Sequence, residues 1–118
     1  MSLAPIIIDD LIAIPKCVSR AQCESNIYII FDDSKPTLKI MAKPEQQIIH
    51  ITDEMKYLVH VHRTSRKNIY VEVYSLIEKK PIVAVDSKED IRTIVEKLKS
   101  VPQYIREHIF RLLGFEVW

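Results

Sequence analysis

From Ile27 to Val85 apolar residues alternate with polar ones in short runs separated by turn residues, and from Ser87 onward they recur every three to four positions. The first spacing is that of strands with a buried face, and the second that of helices lying on a core. Ile27 to Asp32 reads as a strand. Asp33-Ser34-Lys35-Pro36 turns it into another over Thr37 to Lys43, which Pro44 ends. A short strand around Gln47 to Ile51 follows, and then the turn Thr52-Asp53-Glu54. Tyr57 to Arg63 and Ile69 to Leu76 form a hairpin across the Thr64 to Asn68 loop, and Glu78-Lys79-Lys80 leads into Pro81 to Val85. The first 26 residues fit two readings. Ile6, Ile7 and Ile8 favour an edge strand, whereas the spacing of Ile7, Leu11 and Ile14 suits a short helix begun at Pro5.

Two helices close the chain. Ser87 with Asp90 reads as a cap before Ile91, Ile94, Val95 and Leu98. Ser100-Val101-Pro102 restarts a second helix lined by Ile105, Ile109, Leu112 and Leu113. Gly114 follows, where a helix end wants a left-handed residue. Strands first and helices last predict one α+β domain over residues 1–118: an antiparallel, largely meander sheet of five to seven strands, with two C-terminal helices packed on one face.

Pairing across the Thr64 to Asn68 loop sets His62 opposite Tyr70, His60 opposite Glu72 and Leu58 opposite Tyr74. The odd-numbered face, with Val59, Val61, Val71 and Val73, is then uniformly apolar and belongs under the helices. The even-numbered face mixes Leu58, His60, His62, Tyr70, Glu72 and Tyr74 with Ile82, Ala84, Tyr28, Ile30, Lys39 and Met41. So mixed a face has two readings: it is covered by the N-terminal segment, or it is a partner surface, above all a homodimer interface. The C-terminal Phe115 to Trp118 segment is a second candidate surface for a homodimer.

Composition narrows the chemistry. The 118 residues hold a single glycine where average usage gives about eight, which excludes Walker A, dinucleotide-binding and G-x-S-x-G loops. A net charge of +1 advertises neither nucleic acid nor an anionic membrane globally, so any such partner must meet a local patch. Pro5 to Pro15 is apolar but broken by Asp9 and Asp10 and lacks a basic lead and a cleavage site. It reads as neither signal peptide nor membrane span, and the expected location is the cytoplasm. Cys17 and Cys23 are spaced too widely for half a zinc site or a C-x-x-C pair. They read as reduced structural thiols, with a short-loop disulfide as the alternative.

Three constellations can carry function. His60-Val61-His62 puts two imidazoles on one strand face with their Cα atoms about 6.6 to 6.8 Å apart, and Glu72 opposite His60 would complete a two-histidine, one-carboxylate metal set. Cross-strand pairing of His60 with Glu72 is the simpler reading of the same residues. Glu72, a hairpin, then Asp86-Ser87-Lys88 resembles the acid, spacer, acid-x-Lys arrangement of the PD-(D/E)XK nuclease superfamily. That resemblance implies a divalent metal held by Glu72 and Asp86, with Lys88 beside the attacking water. It departs from the family pattern in having Val71 before Glu72 and Asp at position 86, and the strand-to-helix junction explains Asp86, Ser87 and Asp90 through capping alone. Third, Arg63, Arg66 and Lys67 crowd one hairpin tip while Tyr70 and Tyr74 offer stacking surface, a layout suited to single-stranded nucleic acid.

The resulting expectation is a small binding or interaction module rather than an enzyme. It is homodimeric, needs no cofactor, and has nucleic acid as the macromolecular partner with the clearest motive. The competing expectation is a metal-dependent nuclease built on Glu72, Asp86 and Lys88.

Overall fold

The computed structural model describes residues 2–64 and 66–116. Its strands are β1 (Ile6–Ile8), β2 (Leu11–Ile14), β3 (Asn26–Phe31), β4 (Pro36–Met41), β5 (Gln47–His50), β6 (Tyr57–Arg63), β7 (Ile69–Ser75) and β8 (Lys80–Asp86). Its helices are α1 (Arg20–Glu24), α2 (Ile91–Lys97) and α3 (Gln103–Leu112), with a 3-10 turn at Leu98–Ser100 between the last two. The class is α+β, and the strands form two antiparallel sheets instead of one meander: β1-β2-β5 and β4-β3-β6-β7-β8. Among the described residues no helix is long and apolar enough to cross a membrane.

The β6–β7 hairpin has the register read from its loop, with His62 opposite Tyr70, His60 opposite Glu72 and Leu58 opposite Tyr74. One buried cluster joins the odd-numbered residues Ile29, Phe31, Val59, Val61, Val71, Val73 and Val85 to Ile94, Leu98, Val101, Ile105 and Ile109 of the C-terminal helical segment. A second joins Tyr28, Ile30, Leu58, Tyr74 and Leu76 of the opposite face to Ile12, Ile14, Cys17 and Ala42. The chain's own N-terminal region therefore covers this part of the even face, while Tyr70, Glu72 and Ala84 toward β8 stay partly exposed.

The first residues form neither a helix nor a lone edge strand. Ile8 pairs with Leu11, so Asp9 and Asp10 make a two-residue hairpin turn, and Asp9 takes the left-handed conformation (φ 52°) that such turns require. β2 then pairs with β5, which puts Ile7, Ile12 and Ile49 in one cross-strand row facing the large sheet. Alternation does the rest: Ile12 and Ile14 are fully buried, whereas Ile6 and Ile8 are exposed.

Several local expectations need correction. Lys39 and Met41 are not on the even face, because β4 pairs with β3 with Tyr28 opposite Ile40 and Ile29 opposite Lys39. Ser87 is not a helix cap. Asp90 fills that role, accepting from Thr93 N at 2.9 Å, while Ser87 Oγ accepts from Ile69 N at 2.9 Å and ties the junction to β7. Cys17 and Cys23 are bonded to each other, not reduced. A helix capped by Ser19 curls Cys23 back until the two Cα atoms are 5.2 Å apart.

Gly114 behaves as read, with φ 90°. Its N–H donates to Arg111 O at 3.1 Å and the Phe115 N–H donates to Phe110 O at 2.8 Å, a Schellman end. The Phe110 and Phe115 rings meet edge-on at 6.0 Å. Phe115 is thus partly engaged within its own chain, and Val117 and Trp118 of the expected C-terminal contact segment lie outside the described residues.

Candidate functional site

His60 occupies the centre of β6 and is fully buried. Tyr28 stacks on its ring at 4.7 Å with an interplanar angle of 7°. Its Nδ1 lies 3.1 Å from Glu72 Oε1 and its Nε2 lies 2.9 Å from Asn26 Oδ1. The Asn26 amide is oriented by its other bonds, Nδ2 donating to Gln22 O at 2.9 Å and Oδ1 accepting from Leu3 N at 3.2 Å. Both ring nitrogens therefore face oxygen acceptors, so the His60–Glu72 pair is fully bonded only when it carries a proton on each nitrogen. Burial opposes this by pushing the His60 pKa down, against the upward pull of Glu72. The network fastens the N-terminal segment to the sheet, because Tyr28 also donates to Leu3 O at 2.6 Å.

This arrangement leaves the metal reading without a donor set. His60 has spent both nitrogens on protein partners, and among the described residues no group of three or more His, Cys, Asp or Glu can hold a metal ion. The nuclease-like residues are also not in the expected register. The β7–β8 hairpin closes with Ser75 opposite Lys80 and carries a bulge between Val73 and Tyr74, so Glu72 faces Ala84, Asp86 faces Tyr70, and the two carboxylates are diagonal neighbours on one face instead of an opposed pair. Asp86 instead accepts from the Lys88 N–H at 2.9 Å, and its own N–H donates to Glu89 at 2.8 Å, as a strand-to-helix turn needs.

The tyrosines and the basic tip are separated as well. Tyr74 is 7% exposed under the N-terminal hairpin, so its ring offers no stacking face, and Tyr70 is half-buried on the even face. Burial, with Glu72 nearby, pushes the Tyr28 and Tyr74 hydroxyls well above the usual tyrosine value, which keeps both neutral. Arg63, Arg66 and Lys67 are all exposed at the β6–β7 tip. Arg63 lies on the odd-numbered side, away from the tyrosines.

What Arg63 does adjoin is a groove absent from the sequence reading. α3 leaves the outer strands of the large sheet open, and a cavity of about 400 Å³ lies among Ile27, Ile29, Leu38, Val61 and Leu112, with Lys39, Arg63 and His108 on its wall. The volume falls in the range of small-ligand sites, about 300 to 1,000 Å³. The floor is apolar. His108 packs edge-on against Phe31 at 5.0 Å, and its Nε2 is buried with no hydrogen-bond partner among the described residues. Burial first, then the charges of Arg111 and Lys39, push the His108 pKa down, so the ring is neutral and stands in a positive field. None of Lys39, Arg63, Arg66, Lys67 and Arg111 has a carboxylate partner among the described residues. Arg63 also lines a second cleft, with His62, Thr64 and the α1 residues Ala21, Gln22 and Glu24.

No protein-family model matches this chain, and no match was found among curated proteins or among solved structures. The groove's chemistry is therefore read from its own residues. Of these, Arg63 was legible in sequence. Lys39, His108 and Leu112 were not, because only the packing of α3 beside β3 and β4 brings them together.

Proposed function

We propose that the protein is a non-catalytic binding module that takes single-stranded nucleic acid, with the seat in the groove between β4 and α3 and the phosphates running toward the β6–β7 tip. The carrying observation is the position of Arg63 on the walls of two clefts, with its charge uncompensated and continuous with Arg66 and Lys67. The apolar floor suits the flat face of a base, with His108 in its wall. Lys39, Arg63, Arg66 and Lys67 supply the phosphate contacts. Tyr70 and Tyr74 drop out as the stacking pair.

The test is a titration of fluorescently labelled single-stranded DNA and RNA, with duplex DNA as comparison, read by anisotropy over a range of salt. Four phosphate contacts give a slope of log K against log salt of about −2.8 for a single strand, and Arg63→Gln should reduce it by about 0.7. Binding should persist in chelator. Equal affinity for wild type and Arg63→Gln would reject the groove as the seat, and cleavage dependent on Mg²⁺ would reject the non-catalytic reading.

A further inference from the structure

The three-stranded sheet has a second face that belongs to neither buried cluster among the described residues. The pairing of Ile6 with Ala13, Ile8 with Leu11, Leu11 with His50 and Ala13 with Ile48 puts these six side chains on its outer side. Ile6, Ile8 and Ile48 are 52%, 59% and 51% exposed, and the face carries no charged residue. An apolar patch of this continuity on a sheet marks an interaction surface.

We propose that this face is a homodimer interface, packing the small sheet of one copy against that of a second copy. Two observations select the second copy as occupant. The first is charge. A two-fold interface opposes each residue to a residue of the same surface, and a charge-free centre does so without repulsion. The ends of the sheet differ in net sign: Asp9 and Asp10 form the β1–β2 turn, with Asp53 and Glu54 just beyond β5 at the same end, and outnumber Lys56 and Lys79 of the adjoining cleft, whereas Lys16 and Lys43 outnumber Glu45 at the other, where Cys17 N donates to Lys43 O at 2.8 Å. A two-fold axis perpendicular to the strands brings the acidic end of each copy to the basic end of the other.

The second is area. Ile6, Ile8 and Ile48, with the half-buried Leu11 and Ala13, expose roughly 400 Å², about half of the ~800 Å² that each partner gives to a standard interface. The charged ends extend the rim, and a face of this size makes a reversible, concentration-dependent association. The surface is distinct from the groove of α3 and β4, so dimerisation and ligand binding stand or fall separately.

Sedimentation velocity of the full chain from about 5 to about 500 μM decides it, a range wide enough to resolve a reversible dimer. The wild-type mass is expected to rise from 13.8 kDa toward twice that value. Ile8→Lys and Ile48→Lys, each at an exposed position and checked for an unchanged melting temperature, should remain monomeric throughout. Ile77→Lys, 68% exposed on the β7–β8 turn, should dimerise like the wild type. Added salt should weaken the dimer through its charged ends. A wild type that stays monomeric at the highest concentration, or a dimer untouched by both lysine substitutions, overturns the proposal.

Discussion

Truncating Ile12 and Ile8 in turn tests whether the N-terminal hairpin lies across the even face. The two residues belong to one hairpin but face opposite ways: Ile12 is fully buried against the large sheet, and Ile8 is 59% exposed on the outer side. Ile12→Ala removes three carbons from a sealed site, and large-to-small changes of this kind cost about 2–5 kcal/mol, so about 3–4 kcal/mol is expected here. Native stability for a chain of this length is roughly 6–18 kcal/mol, which makes this a large fraction of the total. With an unfolding entropy of about 2.1 cal/mol/K per residue, each kcal/mol shifts Tm by about 4 °C, and the expected fall is about 12–16 °C. Ile8→Ala should change stability by no more than about 0.5 kcal/mol. Urea unfolding followed by circular dichroism, at protein concentrations below about 5 μM, keeps self-association out of the comparison. Comparable losses from the two substitutions, or a loss below about 1 kcal/mol from Ile12→Ala, would refute the hairpin's placement.

Two further outcomes follow from buried groups. Opening the Cys17–Cys23 bridge, by reduction or by Cys17→Ser with Cys23→Ser, frees a short loop in the unfolded chain. The chain-entropy relation puts the loss at about 2.4 kcal/mol, or roughly 10 °C in Tm, and an unchanged melting curve on reduction would contradict it. Burial holds the His60, His62 and His108 pKa values below that of an unfolded histidine. The unfolded chain thus takes these protons first as pH falls. The stability is complete above about pH 6.5 and is lost as pH drops through 6.5 toward the depressed folded values, with a slope of up to about 1.4 kcal/mol per pH unit for the fully buried His60. Urea midpoints that stay level from pH 7.5 to 5.5 would show that the histidines are not held neutral by burial.

The parts of the fold set by local chemistry were legible in the sequence. A five-residue loop fixed the β6–β7 register, and Gly114 marked the end of α3 because a left-handed residue was needed there. The N-terminal hairpin was not legible, since Ile7, Leu11 and Ile14 satisfy both helical and strand spacing and the turn is made by Asp9 and Asp10 without glycine. The β7–β8 register is invisible to pattern alone: the turn sets Ser75 opposite Lys80 and a bulge follows at Val73/Tyr74, which leaves Glu72 opposite Ala84 instead of Asp86. His60 and Glu72 were correctly placed opposite each other. Their role as an internal fastening depended on Asn26 and Leu3, whose approach is tertiary. The groove of α3 and β4 depends in the same way on elements distant in sequence, and only its basic edge at Arg63 left a local trace.

The central claim is that this groove and the adjoining tip form the ligand seat, and mapping the backbone amide resonances of ¹⁵N-labelled protein during titration with a short single-stranded oligonucleotide tests it most directly. Shifts are expected along β4, on α3 around His108 and Leu112, and from Arg63 to Lys67, with the outer face of the small sheet unchanged. Shifts centred instead on Tyr70, Ala84 and Asp86, or the absence of shifts at millimolar oligonucleotide, would contradict the account.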